Sequence, residues 1–549
     1  MIDCYLVGFN EVDLGAYVRT LSAMGRDQGA YRDLDLAFVT HDSTPYTCMD
    51  VIDLFRRQDG LGEGRLSNAD FLWPVITYLY TYLTRRGFSV EYANLYRDER
   101  EHMIELLRGG EVRSVAITTT LYVWMGPILE IVADVRRHSP ETTIIVGGPY
   151  VHNQAQLLEP AELRALLVSL GADVLVVSAE GEETLARVLS ALRRSDPLDD
   201  IANLVYRDGD EVRQTPLVAE SNDLEDNMVD YRLFDGATFR GMVSLRTAKS
   251  CPFSCAFCAF PRRAGRYAYL PVAAVERELD AVRATDSVTT LSFLDDTFNV
   301  PPKRFKEILR MMIRNGYGFR WNSYLRADHA DDECIGLMRD SGCEGVFLGV
   351  ESGSDRMLKA MNKTARRADY LRVVSRLRDA GILSHANVIV GFPGETEDSV
   401  GETTDLLETA RPDFYRAQLW YCDPTTPVWE RRGELGIRGS GFTWSHATMD
   451  AATAAHLVEH LFLTIEGSTW LPQHGFETWS LYYLQRRGLS LELIRGIVAA
   501  FNDAVRAKIV DPQRQEVPPE AWAALRAAWQ RAAPAFCNPR REARHACSD

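Results

Sequence analysis

The sequence predicts an α/β protein: a Rossmann-like doubly wound unit, then a six-unit partial barrel, then a mostly helical carboxy-terminal cap. Three observations carry this prediction: two successive trains of short apolar strands alternating with helical patterns, a polar acidic stretch between them, and a Trp-rich, helix-patterned remainder. Strand–helix alternation argues for parallel sheets, because parallel neighbours need a crossover and that crossover is usually a helix. The expected division is residues 1–220, a linker at 221–242, the barrel at 243–425 and the cap at 426–549.

In the first train, residues 2–9 (IDCYLVGF) read as a buried strand, 70–86 carry helical apolar spacing that stops at Gly87, and 88–95 read as a second strand. An unusual insertion occupies roughly residues 10–68 and contains Gly29-Ala30-Tyr31-Arg32-Asp33-Leu34. Strands at 114–119, 143–146 and 174–177 follow, each with a helical stretch behind it. In such sheets ligands bind at the carboxyl ends of the strands. The residues there are small or polar: Thr118, Thr119 and Thr120; Gly147, Gly148 and Pro149; Ser178, Ala179, Glu180, Gly181 and Glu182. Glycines at 147 and 148 allow a large ligand to approach the backbone closely.

The second train has strands at 243–247, 289–294, 319–325, 345–350, 386–390 and 414–421, with helices at 271–284, 301–314, 331–341, 368–380 and 397–410 between them. Pro301 at a helix start and Gly381 past a helix end support this phasing. Barrel chemistry sits at strand carboxyl ends. After residue 421 come Trp429, Trp444, Trp470, Trp479, Trp522 and Trp529, with long helical stretches near 448–465 and 490–508, expected to close the barrel.

Composition narrows the function classes. The chain has 549 residues, 46% hydrophobic and 25% charged, as expected of an ordinary globular protein of several domains. No apolar run reaches the ~18 residues of a membrane span. A net charge of −16 disfavours a protein that neutralises a nucleic-acid backbone. The 10 cysteines are mostly scattered and Met1-Ile2-Asp3-Cys4 has no signal-peptide character, so a reducing cytoplasm is the expected location. Cys537 and Cys547 are too isolated for an auxiliary cluster.

Three cysteines are not scattered. Cys251, Cys255 and Cys258 stand in a Cys-x3-Cys-x2-Cys run on the loop after the first barrel strand. A four-iron cluster is normally held by four thiolates, so three leave one iron open to a small chelating molecule. A zinc site is the main alternative, but zinc motifs usually come as two cysteine knuckles and no second knuckle exists here. The triad, with Phe257 before its third cysteine, resembles the signature of the radical S-adenosylmethionine (SAM) superfamily. That resemblance implies a [4Fe-4S] cluster whose open iron is chelated by SAM, which one-electron reduction from an external donor cleaves to a 5'-deoxyadenosyl radical.

The resemblance extends along the barrel. Gly349-Val350-Glu351-Ser352-Gly353-Ser354 ends the fourth strand, where superfamily members contact SAM, making Glu351 and Ser352 candidates. Gly391-Phe392-Pro393-Gly394-Glu395-Thr396 ends the fifth, with Ile389 before it to pack on adenine. Strand alternation puts Asn322, Tyr324 and Arg326 on one face, with Arg326 as a candidate carboxylate clamp. Asp295 and Asp296 read equally as ligand contacts and as a solvated helix-start turn. Arg246 and Lys249 read equally as residues that draw an anionic substrate and as surface charges. With Tyr324 they complete the substrate candidates.

Ahead of this barrel, Val146-Gly147-Gly148-Pro149 and Ala179-Glu180-Gly181-Glu182-Glu183-Thr184 resemble the cobalamin-binding domain of cobalamin-dependent radical SAM enzymes. That implies cobalamin contacts from Thr118, Thr119, Gly147, Gly148, Ser178, Glu180, Gly181 and Glu182. None of His41, His102, His138 or His152 lies in the Asp-x-His-x-x-Gly motif that ligates cobalt from below, so a lower face without histidine is expected.

The runs IDCYLVGFNE, MGRDQGAYRDLDL and AITTTLYV resemble the P-methyltransferases of phosphinothricin-type antibiotic biosynthesis. The resemblance implies that methylcobalamin, charged by one SAM, gives its methyl to a substrate radical made by a second. The implied substrate is an N-acetylated demethylphosphinothricin-like phosphinate, with Arg246, Lys249 or Arg326 as anion contacts and no protein general base. Rival readings are C-methylation of a peptide or small natural product, a tRNA methylthiotransferase, and a noncatalytic cofactor-binding sensor. The tRNA reading needs three more amino-terminal cysteines, and only Cys4 and Cys48 precede the barrel.

Overall fold

The apolar run after Asp3 folds as strand β1 (Cys4–Phe9), with Cys4, Tyr5, Leu6 and Val7 fully buried. A run buried on both faces is what a central parallel strand requires. The structure, a computed structural model, describes residues 1–536 except 63, 68–70, 121, 123, 221, 473 and 512. Cys537 and Cys547 therefore lie outside the described residues.

β1 is joined by β2 (Val90–Leu95), β3 (Ser114–Thr118), β4 (Thr143–Gly147), β5 (Val174–Val176), β6 (Leu204–Asp208) and β7 (Glu211–Gln214), in the order β2-β1-β3-β4-β5-β6-β7. β1 to β5 are parallel. β6 and β7 form an antiparallel edge hairpin that the strand–helix alternation does not predict. The order reverses between β1 and β3, which fixes the switch point where a cleft opens.

The barrel sheet runs in chain order: β8 (Met242–Leu245), β9 (Thr290–Phe293), β10 (Arg320–Leu325), β11 (Cys343–Glu351), β12 (Leu383–Val390), β13 (Phe414–Leu419) and β14 (Thr469–Trp470). All neighbours are parallel. The six expected strands are present. The short seventh, paired through Phe414–Thr469 and Tyr415–Trp470, comes from the region expected to be helical and gives only a two-residue signal.

The linker is tightly packed. Val229, Tyr231, Phe234 and Phe239 are buried in an apolar cluster that runs from Leu6 and Ile76 of the first unit to Leu245 and Leu291 of the barrel. The Tyr231 hydroxyl donates to Glu278 at 3.1 Å, on the first barrel helix.

The insertion forms helices Leu14–Met24 and Gly29–Asp35, the hairpin Phe38–His41/Thr44–Thr47, and helix Cys48–Gln58. It docks against the open side of the barrel. A Cβ at Gly29 would sit 2.7 Å from Leu419 Cδ2 on β13 and 3.1 Å from the Phe442 carbonyl, so only glycine permits this approach. Arg32 donates to Glu459 at 2.7 Å, and Lys508 Nζ donates to the Phe38 carbonyl at 2.8 Å, tying the insertion to two cap helices, Ala451–Thr464 and Leu491–Val510. Among the described residues no helix is long and apolar enough to cross a membrane.

Candidate active site

The cysteine loop leaves β8 through Thr247 and Ala248, and the Asp295 carboxylate holds that exit. It accepts from the Thr247 amide at 2.7 Å, the Ala248 amide at 2.9 Å and the Thr247 hydroxyl. Arg304 adds bonds to the Thr247 carbonyl (3.0 Å) and hydroxyl (2.9 Å). The far side of the loop is tied by Asn362, which donates to the Ser254 carbonyl and hydroxyl at 2.7 and 3.0 Å, and by the Ala256 amide, which donates to Met361 at 2.9 Å. The Arg326 guanidinium lies 3.6 Å from the centre of the Phe253 ring, and Phe257 meets Phe392 edge-on at 6.5 Å.

Cys251, Cys255 and Cys258 are half-buried on this loop. Burial pushes the Cys251 thiol up, and that of Cys258 up to about 11. Asp296 and Cys255 raise both further, and Cys251 also raises Cys258. Among the described residues, no three His, Cys, Asp or Glu side chains are gathered closely enough to hold a single metal ion. Three thiols on one braced loop suit a multi-iron cluster better than one tetrahedral zinc. Cys4 and Cys48 are fully buried elsewhere; burial pushes the Cys4 thiol up to about 12.

The side chains expected around SAM divide into two groups. Glu351, at φ +63° on the end of β11, pairs with Lys363 at 3.2 Å, and Lys363 also donates to the Gly349 carbonyl. Ile389 is half-buried on β12 beside Gln418 of β13. Ser352, in contrast, is fully buried, with its hydroxyl near Thr403 (3.4 Å) and accepting from the Ser354 amide (3.2 Å). Arg326 already forks onto a carboxylate, Asp328, at 3.1 and 2.9 Å. Asp295 is engaged by Thr247 and Ala248. These three brace the site. Asp296 is instead exposed beside the cysteine loop, where desolvation by the surrounding protein and the neighbouring Asp295 carboxylate push its pKa up to about 6. Lys363 and Asn362 were not among the expected residues: they lie more than 100 positions beyond the cysteines, and nothing local marks them.

Replacing Asp295 with Ala strands two buried amides, each at roughly 1–3 kcal/mol. The expected outcome is a folded protein with a lower melting temperature and substoichiometric iron after reconstitution, measured by calorimetry and iron assay.

The second half of the site is a cleft at the switch point of the first sheet. Thr118, Thr120, Gly147, Gly148, Pro149, Glu180, Gly181 and Glu182 line it, together with Val75, Tyr78 and Leu79 of helix Pro74–Arg85. Arg246 and Leu294 of the barrel close its other wall. Thr119 and Ser178 stand behind the lining: the Thr119 hydroxyl donates to the Gly147 carbonyl at 2.8 Å, and Ser178 is buried. A glycine-floored, largely apolar cleft between two domains suits a broad planar cofactor, and among the described lining residues there is no histidine. His152 is turned to the Val177 carbonyl (3.1 Å) and Gln156 (2.9 Å), and His41 stacks on Trp522 at 3.9 Å in the insertion.

Of the substrate candidates, Lys249 pairs with Glu180 across the domain boundary, and Arg246 packs 4.5 Å over the Tyr78 ring in the cleft. Only Tyr324, 42% exposed on the inner face of β10, opens into the barrel.

Residues 245–407 match the model of the radical SAM superfamily. An uncharacterized methyltransferase of Pyrococcus horikoshii is 28% identical over 265 residues, 46% of this chain and 57% of that protein. A bacteriochlorophyllide d C-12(1)-methyltransferase of Chlorobaculum tepidum is 31% identical over 208 residues, 37% and 44% of the two chains. The chain thus spans about half the length of these curated relatives. Among solved structures, the radical SAM methyltransferase TsrM from Kitasatospora setae, with cobalamin and a [4Fe-4S] cluster bound, superposes with a TM-score of 0.57 at 18% identity, covering 87% of this chain and 97% of its own. The cobalamin-dependent SAM radical enzyme OxsB, with aqua-cobalamin and SAM bound, gives 0.54 at 14% identity, covering 96% and 78%. Residues 245–407 thus match a radical SAM domain, and the chain shares the α/β fold of TsrM and OxsB.

Proposed function

We propose that this chain is a cytoplasmic cobalamin-dependent radical SAM methyltransferase, and that it methylates an N-acetylated demethylphosphinothricin-like phosphinate at phosphorus. The observation that supports the reading most is the meeting of the two half-sites: Arg246 and Leu294 of the barrel line the same cleft as Gly147 and Gly148, at the end of the barrel that carries the cysteine loop. When bound, the cluster and SAM supply a 5'-deoxyadenosyl radical and cobalamin supplies the methyl group. The chain's own part is to hold, orient and exclude water. Cys251, Cys255 and Cys258 offer three thiolates; Asp295, Arg304 and Asn362 fix their loop; Lys249 and Glu180 pin the barrel to the cleft. This reading calls for an external one-electron donor to the cluster.

The phosphinate assignment rests on the amino-terminal resemblance. A second reading, methylation at carbon, is favoured by the bacteriochlorophyllide-methylating relative and by the solved TsrM complex with tryptophan as substrate. Anaerobic incubation of loaded enzyme with SAM, methylcobalamin, reductant and the phosphinate tests the choice. A P-methyl resonance in the phosphorus NMR spectrum is expected. No such product from enzyme with a full cluster overturns the phosphinate assignment, and C-methylation of a peptide or indole acceptor then supports the second reading.

A further inference from the structure

The inner faces of β10 to β13 carry a polar patch that neither half-site uses. Tyr324, Phe347 and His385 occupy one row across three adjacent strands, and Arg416, in register with Asn387, stands one pleat nearer the carboxyl ends. The rings are in contact: Tyr324 and Phe347 at 5.4 Å, Phe347 and His385 edge-on at 5.8 Å.

His385 is 3% exposed, and neither ring nitrogen has a hydrogen-bond partner. Buried polar groups in native proteins are nearly always paired, so an imidazole orphaned at both nitrogens points to a missing ligand or water. Burial and the Arg416 charge hold it neutral, with one N–H to donate. The Arg416 guanidinium is fixed by carbonyls: Nη2 donates to Pro472 at 2.5 Å and Phe476 at 3.3 Å, and Nε reaches Leu471 at 3.5 Å. Carbonyls orient this group without neutralising it. Nη1 makes no hydrogen bond among the described residues, where the nearest carboxylate, Glu477, stops at 3.9 Å. Asp33 of the insertion acts on the same guanidinium from further off.

The Tyr324 hydroxyl also has no hydrogen-bond partner among the described residues, and its exposure, with that of Gln418 on β13, shows an open lumen over these strands. The lumen borders the cysteine loop: Arg326, two residues beyond Tyr324 at the carboxyl end of β10, lies 3.6 Å from the centre of the Phe253 ring on that loop. Three unused donors, one of them a cation held in place, describe a receptor for a compact oxyanion.

We propose that Tyr324, His385 and Arg416 form the oxyanion-recognising wall of the substrate chamber, taking a phosphinate or carboxylate group. The inference rests on the methyltransferase reading for the location of substrate, but it is tested by binding alone, so the two can fail separately. The probes are an N-acetylated amino acid bearing a P–H phosphinate, N-acetylated glutamate, and the neutral methyl esters of both, titrated calorimetrically into anaerobic holoprotein with SAM. At least one anion is expected to bind, with its ester bound far more weakly. His385→Phe and Tyr324→Phe are each expected to raise its Kd roughly tenfold or more, as loss of a hydrogen bond to a charged group does. Arg416→Lys, which keeps the charge but loses the fork, gives a third arm; iron content and melting temperature exclude misfolding. Binding of the carboxylate and not the phosphinate supports the wall and overturns the phosphinate assignment. Normal binding without any methyl transfer supports the wall and overturns the methyltransferase reading. Equal affinity for anion and ester, unchanged affinity in both Phe variants, or no anion bound by the wild-type protein overturns the wall.

Discussion

A Cys255→Ala protein, purified and reconstituted without oxygen, is expected to hold no four-iron cluster and to form no 5'-deoxyadenosine, while binding cobalamin as the unmodified protein does. The size of the effect follows from the ligand count. Three thiolates already leave one iron to SAM, and removing another leaves two protein ligands for a cluster that needs three. Among the described residues the cysteines outside the triad, Cys4, Cys48, Cys334, Cys343 and Cys422, are all buried in the core and do not offer a replacement sulfur. Cobalamin binding survives because its cleft is built by other strands, and its barrel wall at Arg246 precedes the cysteine loop. Absorbance and iron analysis read the first loss, a chromatographic assay reads deoxyadenosine, and the corrinoid spectrum reads what remains. Cobalamin lost together with iron would show that the two half-sites are not independently built.

The mirror-image variant is Gly148→Val, expected to abolish stable cobalamin binding and leave the cluster in place. Gly148 has φ +108°, a conformation that costs an L-residue on the order of 1–3 kcal/mol. A Cβ there would lie 2.9 Å from Thr119 Oγ1 and 3.0 Å from the Thr119 amide, so the turn itself must shift. Thr119 is held in place by its bond to the Gly147 carbonyl and by the Tyr150 amide, which donates to its hydroxyl at 3.2 Å. The displaced turn and the valine methyl groups then narrow a cleft that depends on close backbone approach. Retained corrinoid in this variant would remove Gly148 from the floor of the site.

The strands and crossover helices of both trains were legible in the sequence because each strand is an apolar run and each crossover carries its own helical period. Two features escaped that reasoning. The β6–β7 hairpin carries a turn signal, Asp208-Gly209-Asp210, but its two short strands lie between the last helical stretch of the first train and the linker, where no element is expected. Thr469–Trp470 adds a strand too short to show any period. In the site, the triad and the glycine turns were legible because their chemistry demands those residue types at close spacing. Charges were not. Arg326, Lys249 and Asp295 had the right character for ligands, yet each is engaged by a partner far off or unmarked in the chain: Asp328 with Thr364, Glu180, and the Thr247–Ala248 amides. Arg416 and His385 lie in ordinary strand patterns, and only the folded barrel shows that one is cradled by distant carbonyls while the other has no hydrogen-bond partner among the described residues.

The most direct test of a two-cofactor site on one chain is the metal and corrinoid content of anaerobically purified protein, read with its absorption spectrum. About four irons with matching sulfide, one corrinoid per chain, and charge-transfer bands bleached by dithionite are predicted. Zinc in place of iron, or a full cluster on protein that takes up no cobalamin, would contradict it.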